Sequence, residues 1–275
     1  DEPQRNASGI RLHAAARVHP ARGAVGAHDA VLGFVGAVAL RRAAFLFGAL
    51  GSGIGWLLLI LQWQPDPNIS PIDFWLIDLY GFFSLLTLPH LPIVMALLWS
   101  VMLAMLKHWE TRQWCWLIVC VVCAVVMQMI QPFAPVIADV VLVGYAVWAW
   151  RVRQMRFPFA SLTLLAIAQI PLALYSVLVL YGDPLWSGFS RQNVTLSPNA
   201  LYYVFGLGIP GILAAIGAWR VTRRGFGAAH LLVVWVIAVA ILVYAPVFFQ
   251  RRFAEGVSAP IAILAVLGLS YVILP

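Results

Sequence analysis

The chain has 275 residues, of which 63% are hydrophobic and 10% charged, with a formal net charge of +7 and a mean hydropathy of +0.93. A soluble domain carries about 25% charged residues, so a soluble globular class is excluded and a membrane protein is indicated. The basic excess does not signal nucleic acid, because the arginines come in small groups between apolar runs and not in one patch.

Residues 1–28 contain arginines and histidines without an apolar run. No signal-peptide core follows the charges, and the segment reads as flexible, left by truncation of a longer chain. The run 29–40 is too short to span a bilayer alone. A spanning helix needs roughly 20 apolar residues. The runs 43–63, 86–106, 114–130, 133–150, 157–181, 199–219, 228–245 and 257–275 approach or reach that length. In hydrocarbon every backbone group must be satisfied within its own segment, so these runs predict helices. The expected fold is an all-α transmembrane bundle over residues 29–275, with eight or nine spans.

The breaks between runs give the orientation. Arg41 and Arg42, Lys107 and Arg112, Arg151, Arg153 and Arg156, and Arg220, Arg223 and Arg224 occupy alternate breaks. The opposite breaks hold only Arg191, Arg251 and Arg252. Cytoplasmic loops carry the excess of Lys and Arg, which places those three arginines on the outer side. The outer connections are then 64–92, 182–198 and 246–256.

The outer connections carry the candidate chemistry. In "IDFWLIDLYGFF", Asp73 and Asp78 sit among aromatics at near-helical spacing, which suggests an amphipathic or re-entrant helix at the interface. His90 stands between Pro89 and Pro92 where the next span begins. It reads either as a helix-start histidine bonded to backbone, or as a base or phosphate contact paired with Asp73 or Asp78. The segment 182–199, rich in Gly, Pro, Ser and Asn, predicts a loop presenting Arg191. Arg251 and Arg252 either snorkel to headgroups or bind an anion, since the planar guanidinium fork suits phosphate. Asp73, Asp78, Glu255 or a lipid phosphate are their candidate partners.

Other groups are weaker signals. Asp139 is the one acid inside a run, either functional or hydrogen-bonded for structure. Cys115, Cys120 and Cys123 share one apolar run at offsets that do not bring all three to one helix face, so no metal site is expected. "GSGIG" (51–55) and "GLGIPG" (206–211) permit close helix packing. No Ser-His-Asp, HExxH or Walker pattern is present, and no cofactor is indicated.

"GSGIGW", "FFSLLTLPHLPIVMALLW", "DPLWSGFSRQNVTLSPNALYYVFGLG" and "PVFFQRRFAEGVSAPIAILAVLGL" resemble, in that order, the C-terminal part of an uncharacterised family of large polytopic bacterial membrane proteins. The resemblance covers about residues 43–275. Its most specific parts are the stretches Ser84 to His90 and Gln250 to Arg252. The family looks in layout like the GT-C type of glycosyltransferase, which uses polyprenyl-phosphate sugars on the outer membrane face. The resemblance implies a bacterial inner-membrane location, with membrane lipids, polyprenyl phosphate and other membrane subunits as partners. Asp78 stands in for an acid that family members carry before the Ser-to-His stretch, in a shifted context. GT-C enzymes keep their catalytic acid in the N-terminal half, which lies outside the match.

Three functions remain open on this reading. The first is a GT-C-like transferase or lipid-phosphate-binding module. There Arg191, Arg251 and Arg252 bind substrate, and Asp73, Asp78 and His90 do the chemistry. The second is a non-catalytic subunit of a larger respiratory or photosynthetic membrane complex. The third is a transporter, for which Pro171 and Pro210 would break helices.

Overall fold

The computed structural model describes residues 38–51, 53–63, 66, 68–153 and 156–273. The expected flexible segment 1–28, and nearly all of the short run 29–40, lie outside the described residues. Among those described, the chain is all-α, with eleven α-helices, two 3-10 turns and no strand.

In chain order the helices are α1 (Val38–Leu50), α2 (Gly55–Ile60), α3 (Gly81–Thr87), α4 (His90–Thr111) and α5 (Trp114–Ile130). There follow α6 (Ala134–Arg153), α7 (Phe159–Gly182), α8 (Pro184–Gln192), α9 (Ala200–Arg223), α10 (Ala229–Leu242) and α11 (Ser258–Ile273). Helices α4, α6, α7 and α9 are long and apolar enough to cross a membrane. Helices α5, α10 and α11 are equally apolar but shorter, in the range of 10–17 residues. Of the eight or nine spans expected, four are therefore met by length and composition.

Local chemistry sets the boundaries. Gln131 is extended at the end of α5, as expected before Pro132, because proline disfavours the helical region for the residue preceding it. Asp183 caps α8 by accepting from the backbone N–H groups of Leu185 and Trp186, with Pro184 in the first turn. The segment expected as a loop over 182–199 is thus partly helical. The signal was present as Asp-Pro, an N-cap followed by a first-turn proline. Asn199 caps α9 by accepting from Leu201 N. Helix α7 runs through Pro171 without ending.

Two elements are broken, and they cross at their breaks. The run 43–63 is not one helix: it stops after Leu50 and resumes at Gly55. Helix α9 departs from helical geometry at Gly208, where φ is +45°, a region that glycine enters without steric cost. Ile54 N donates to Phe205 O at 2.9 Å across the crossing. A Cβ on Gly53 would stand 2.1 Å from Gly206 O, so the backbones meet only because no side chain intervenes. The "GSGIG" and "GLGIPG" runs are therefore two halves of one contact.

Helix α4 gives the core a continuous buried stripe. Leu91, Val94, Leu98, Val101, Met102 and Met105 are all fully buried at helical spacing. Helix α7 lies at the edge and buries only Ser161, Leu165 and Gln169, one stripe at four-residue spacing. Asp139 of α6 accepts from Gln169 Nε2 at 3.2 Å, which gives that acid a structural partner. Hydrogen bonds draw the connections 66–89, 193–199 and 243–257 to one end of the bundle. The ends of α4 and α6 and the starts of α7 and α10 meet at the other.

Gly53→Ala should destabilise the protein by about 1–3 kcal/mol, the typical range for overpacking. Gly188→Ala is the control, since nothing lies within 4 Å of a Cβ there. It should leave stability unchanged or slightly raised. Thermal unfolding in detergent compares the two, and an equal response would remove the crossing as a tight point.

Candidate functional site

The end at which the three connections converge is assembled from short pieces. Thr195 N donates to Phe248 O at 2.7 Å, and Arg251 N donates to Thr195 O at 3.1 Å. Ser197 N adds a bond to Gln250 Oε1 at 3.1 Å. These bonds lay the chain after α8 against the turn Gln250–Ala254, which presents Arg251 and Arg252. From the other side, Tyr202 of α9 donates to Asp66 O or Ile69 O, at 2.8 and 2.7 Å. Tyr80 donates to Gly206 O at 2.6 Å, on the broken part of α9.

Residues 72–80 pack into the bundle: Ile72, Leu76, Leu79 and Tyr80 are buried. The expected single amphipathic helix over "IDFWLIDLYGFF" is instead a 3-10 turn at Ile72–Phe74, irregular chain to Tyr80, and then α3. The turns bring both aspartates inward, which a helix at the interface would not do.

Asp78 is paired with Arg252, Nη1 to Oδ1 at 3.0 Å, with 1% of the aspartate side chain exposed. Burial pushes the Asp78 carboxyl above its ordinary range, and the positive charges of Arg252 and then Arg251 pull it back. Glu255 is wholly buried and accepts from Gln131 Nε2. Burial, and next the charge of Asp78, push Glu255 up to about 8. It therefore holds its proton at neutral pH beside a charged pair. Asp73 accepts from Gly55 N at 2.9 Å, while its Oδ1 has no partner among the described residues. Burial raises Asp73, and backbone hydrogen bonds oppose the shift. A Cβ on Gly55 would lie 1.8 Å from Asp73 Oδ1, so glycine is required where the carboxylate meets α2.

Arg251 differs from Arg252. Its guanidinium lies over the Trp75 ring at 5.1 Å. Its Nε is buried without a hydrogen-bond partner among the described residues, as is the Thr195 hydroxyl oxygen. Tyr203, which shares a hydrogen bond with Ser197 at 3.1 Å, lies within electrostatic range of both Arg251 and Asp78.

The structure thus gathers Asp78, Arg251 and Arg252, and sets Asp73 on the α2 side of the same segment. His90 begins α4, is exposed, and has no hydrogen bond to Asp73 or Asp78. Arg191 is exposed in the last turn of α8 and has no ion pair among the described residues. Glu255 was a candidate partner for the arginines but bonds to Gln131 instead. Trp75 and Tyr80 carry no pattern that would have singled them out. No protein-family model, curated protein or solved structure matches the chain.

Arg252→Ala leaves Asp78 buried without its counter-charge and should cost about 3–5 kcal/mol. Arg251→Ala removes a cation–π contact and should cost only about 0.5–1 kcal/mol. Unfolding of both variants in detergent measures the contrast, and equal losses would contradict the division between them.

Glu255 makes a pH prediction of definite sign. Its folded value is raised from 4.5 to about 8. Across that window the folded state therefore holds a proton that the unfolded state releases. Stability falls as pH rises through the window. Glu255→Gln cannot ionise, so it should be more stable than the parent at pH 8, with the difference closing as pH falls toward 4.5. A pH-independent difference would show that Glu255 does not titrate in this way.

Proposed function

We propose that this chain is a multi-pass protein of the bacterial inner membrane whose loop end binds the phosphate of a lipid-linked ligand, in a GT-C-like layout. Arg251 carries the reading. It is held on Trp75 with its Nε buried and unbonded among the described residues, and its backbone N–H bonds to the carbonyl of Thr195, whose own hydroxyl also lacks a partner there. A guanidinium in that state suits an anion with several acceptor oxygens. In this reading Arg252 is already engaged by Asp78 and holds the loop, so the ligand contact falls to Arg251. Arg191 and His90 belong to the rim. Asp73, with a free Oδ1 and a raised carboxyl, is the group suited to accept a proton if group transfer occurs here. The leaving phosphate would be stabilised by the positioned charge of Arg251.

One observation favours a second reading. Transporter substrate sites are typically formed by discontinuous helices, and α1/α2 and α9 are interrupted where they meet. In that reading the ligand site is the crossing and not the loop end.

A binding titration separates the two. The full chain in nanodiscs is titrated with polyprenyl phosphate and with the unphosphorylated polyprenol, and bound lipid is read by native mass spectrometry. The phosphate form should bind at least about tenfold more tightly, the difference falling away in Arg251→Ala, consistent with roughly 1.5–3 kcal/mol for a charged hydrogen bond. Arg191→Ala should leave affinity within about twofold, as for a screened surface charge. No preference for the phosphate, or a preference intact in Arg251→Ala, would overturn the loop-end site.

A further inference from the structure

A cleft of about 110 Å³ lies at the opposite end of the bundle. Its walls come from the end of α4, the last turns of α6, and the starts of α7 and α10. Leu106, Trp109, Tyr145 and Phe226 form its apolar depth. Trp109 and Tyr145 stack within 3° of parallel at 6.2 Å, and Tyr145 meets Phe226 at 5.2 Å. The Trp109 ring is fixed by its Nε1 donating to Ser161 Oγ at 2.9 Å. Tyr145 stands eight residues before the end of α6, so the cleft reaches about 12 Å along that helix. It runs from the polar helix ends into the apolar layer.

The mouth has a different character. Glu110, Arg112 and Arg156 line it. Glu110 is matched by Lys107, at 3.7 Å. The side chains of Arg112 and Arg156 are exposed and make no hydrogen bond or ion pair among the described residues. The helix dipoles do not decide the sign, because α4 and α6 end here while α7 and α10 begin here, and their partial charges oppose one another. The formal charges do decide it, and they leave two free guanidinium groups. The N-caps of α7 and α10, Pro158 and Ala228, also line the cleft, and neither makes a side-chain cap.

We infer that this cleft is a binding site for an anionic diacyl phospholipid, with its phosphate held by Arg112 and Arg156 and a segment of one acyl chain against Trp109, Tyr145 and Phe226. The volume suits that assignment. An apolar cavity of about 150 Å³ holds benzene, so a short acyl segment fits and a whole headgroup does not. Basic pockets between helix ends are a recurrent mode of anionic headgroup recognition. The inference is independent of the loop-end reading, since it shares no residue with it.

The test uses the full chain in phosphatidylcholine nanodiscs doped with phosphatidylglycerol, with retained lipid read by native mass spectrometry. The parent should retain one phosphatidylglycerol in preference to phosphatidylcholine by about tenfold or more. The double variant Arg112→Gln, Arg156→Gln should lose that preference. Ala149→Phe fills the cleft wall without touching charge and should weaken phosphatidylglycerol retention with both arginines present. Glycerol phosphate, the headgroup without its chains, should not compete. A thermal melt matching the parent's confirms that each variant folds, and Ala149→Phe decides the matter if the double variant does not. The proposal is overturned by a parent with no preference, by a preference that survives the double variant or the filled cleft, or by competition from glycerol phosphate, which would mark a free-anion site.

Discussion

A carboxylate removed from water inside an apolar bundle must find a positive charge or take up a proton. Asp78 does the first, and Glu255 does the second. The Asp78–Arg252 pair joins residues 174 apart in sequence, and the turn at Gln250–Ala254 is bonded in turn to the chain before α9. One ion pair therefore links two connections that the helices alone would leave independent. Glu255 lies next to it as a neutral acid, because burial in the apolar bundle, and next the negative charge of Asp78, disfavour its ionised form. The loop end is built around this division of charge.

The broken helices supply the second constraint. Gly53 and Gly208 allow two backbones to touch, and Tyr80 fastens the 72–80 segment to the same part of α9. Asp73 closes onto Gly55 at the start of α2. The segment carrying both aspartates is thus held at one side by a glycine crossing and at the other by an ion pair. This arrangement leaves Arg251 on the Trp75 face, with an Nε that has no partner among the described residues. Asp78, by contrast, is committed to structure.

Much of the helical content was legible because apolar runs and bilayer chemistry dictate it. Pro89, Pro132, Asp183 and Asn199 mark boundaries through ordinary backbone preferences. The interruption between Leu50 and Gly55 was not legible as a break. A glycine-rich stretch inside an apolar run supports either a close-packed helix or an interruption, and only the approach of α9 selects between them. Helix α8 was hidden for a different reason: its polar, glycine-containing composition reads as loop, although Asp183 and Pro184 mark a helix start. At the site, the charges of Asp78, Arg251 and Arg252 stood out in an apolar chain, so their candidacy was visible. Their pairing was not, because Asp73, Asp78, Glu255 and a lipid phosphate were equivalent partners until the 72–80 segment turned inward. Trp75 and Tyr80 act through position alone, which composition does not encode.

Hydrogen–deuterium exchange in the Asp78→Asn variant tests the central claim most directly, since the substitution keeps shape and removes charge. If the ion pair couples the two connections, amides of residues 72–80 and 250–257 should both exchange faster than in the parent, while those around Cys120 and Leu165 stay unchanged. Faster exchange confined to residues 72–80, or no change in either segment, would contradict the account.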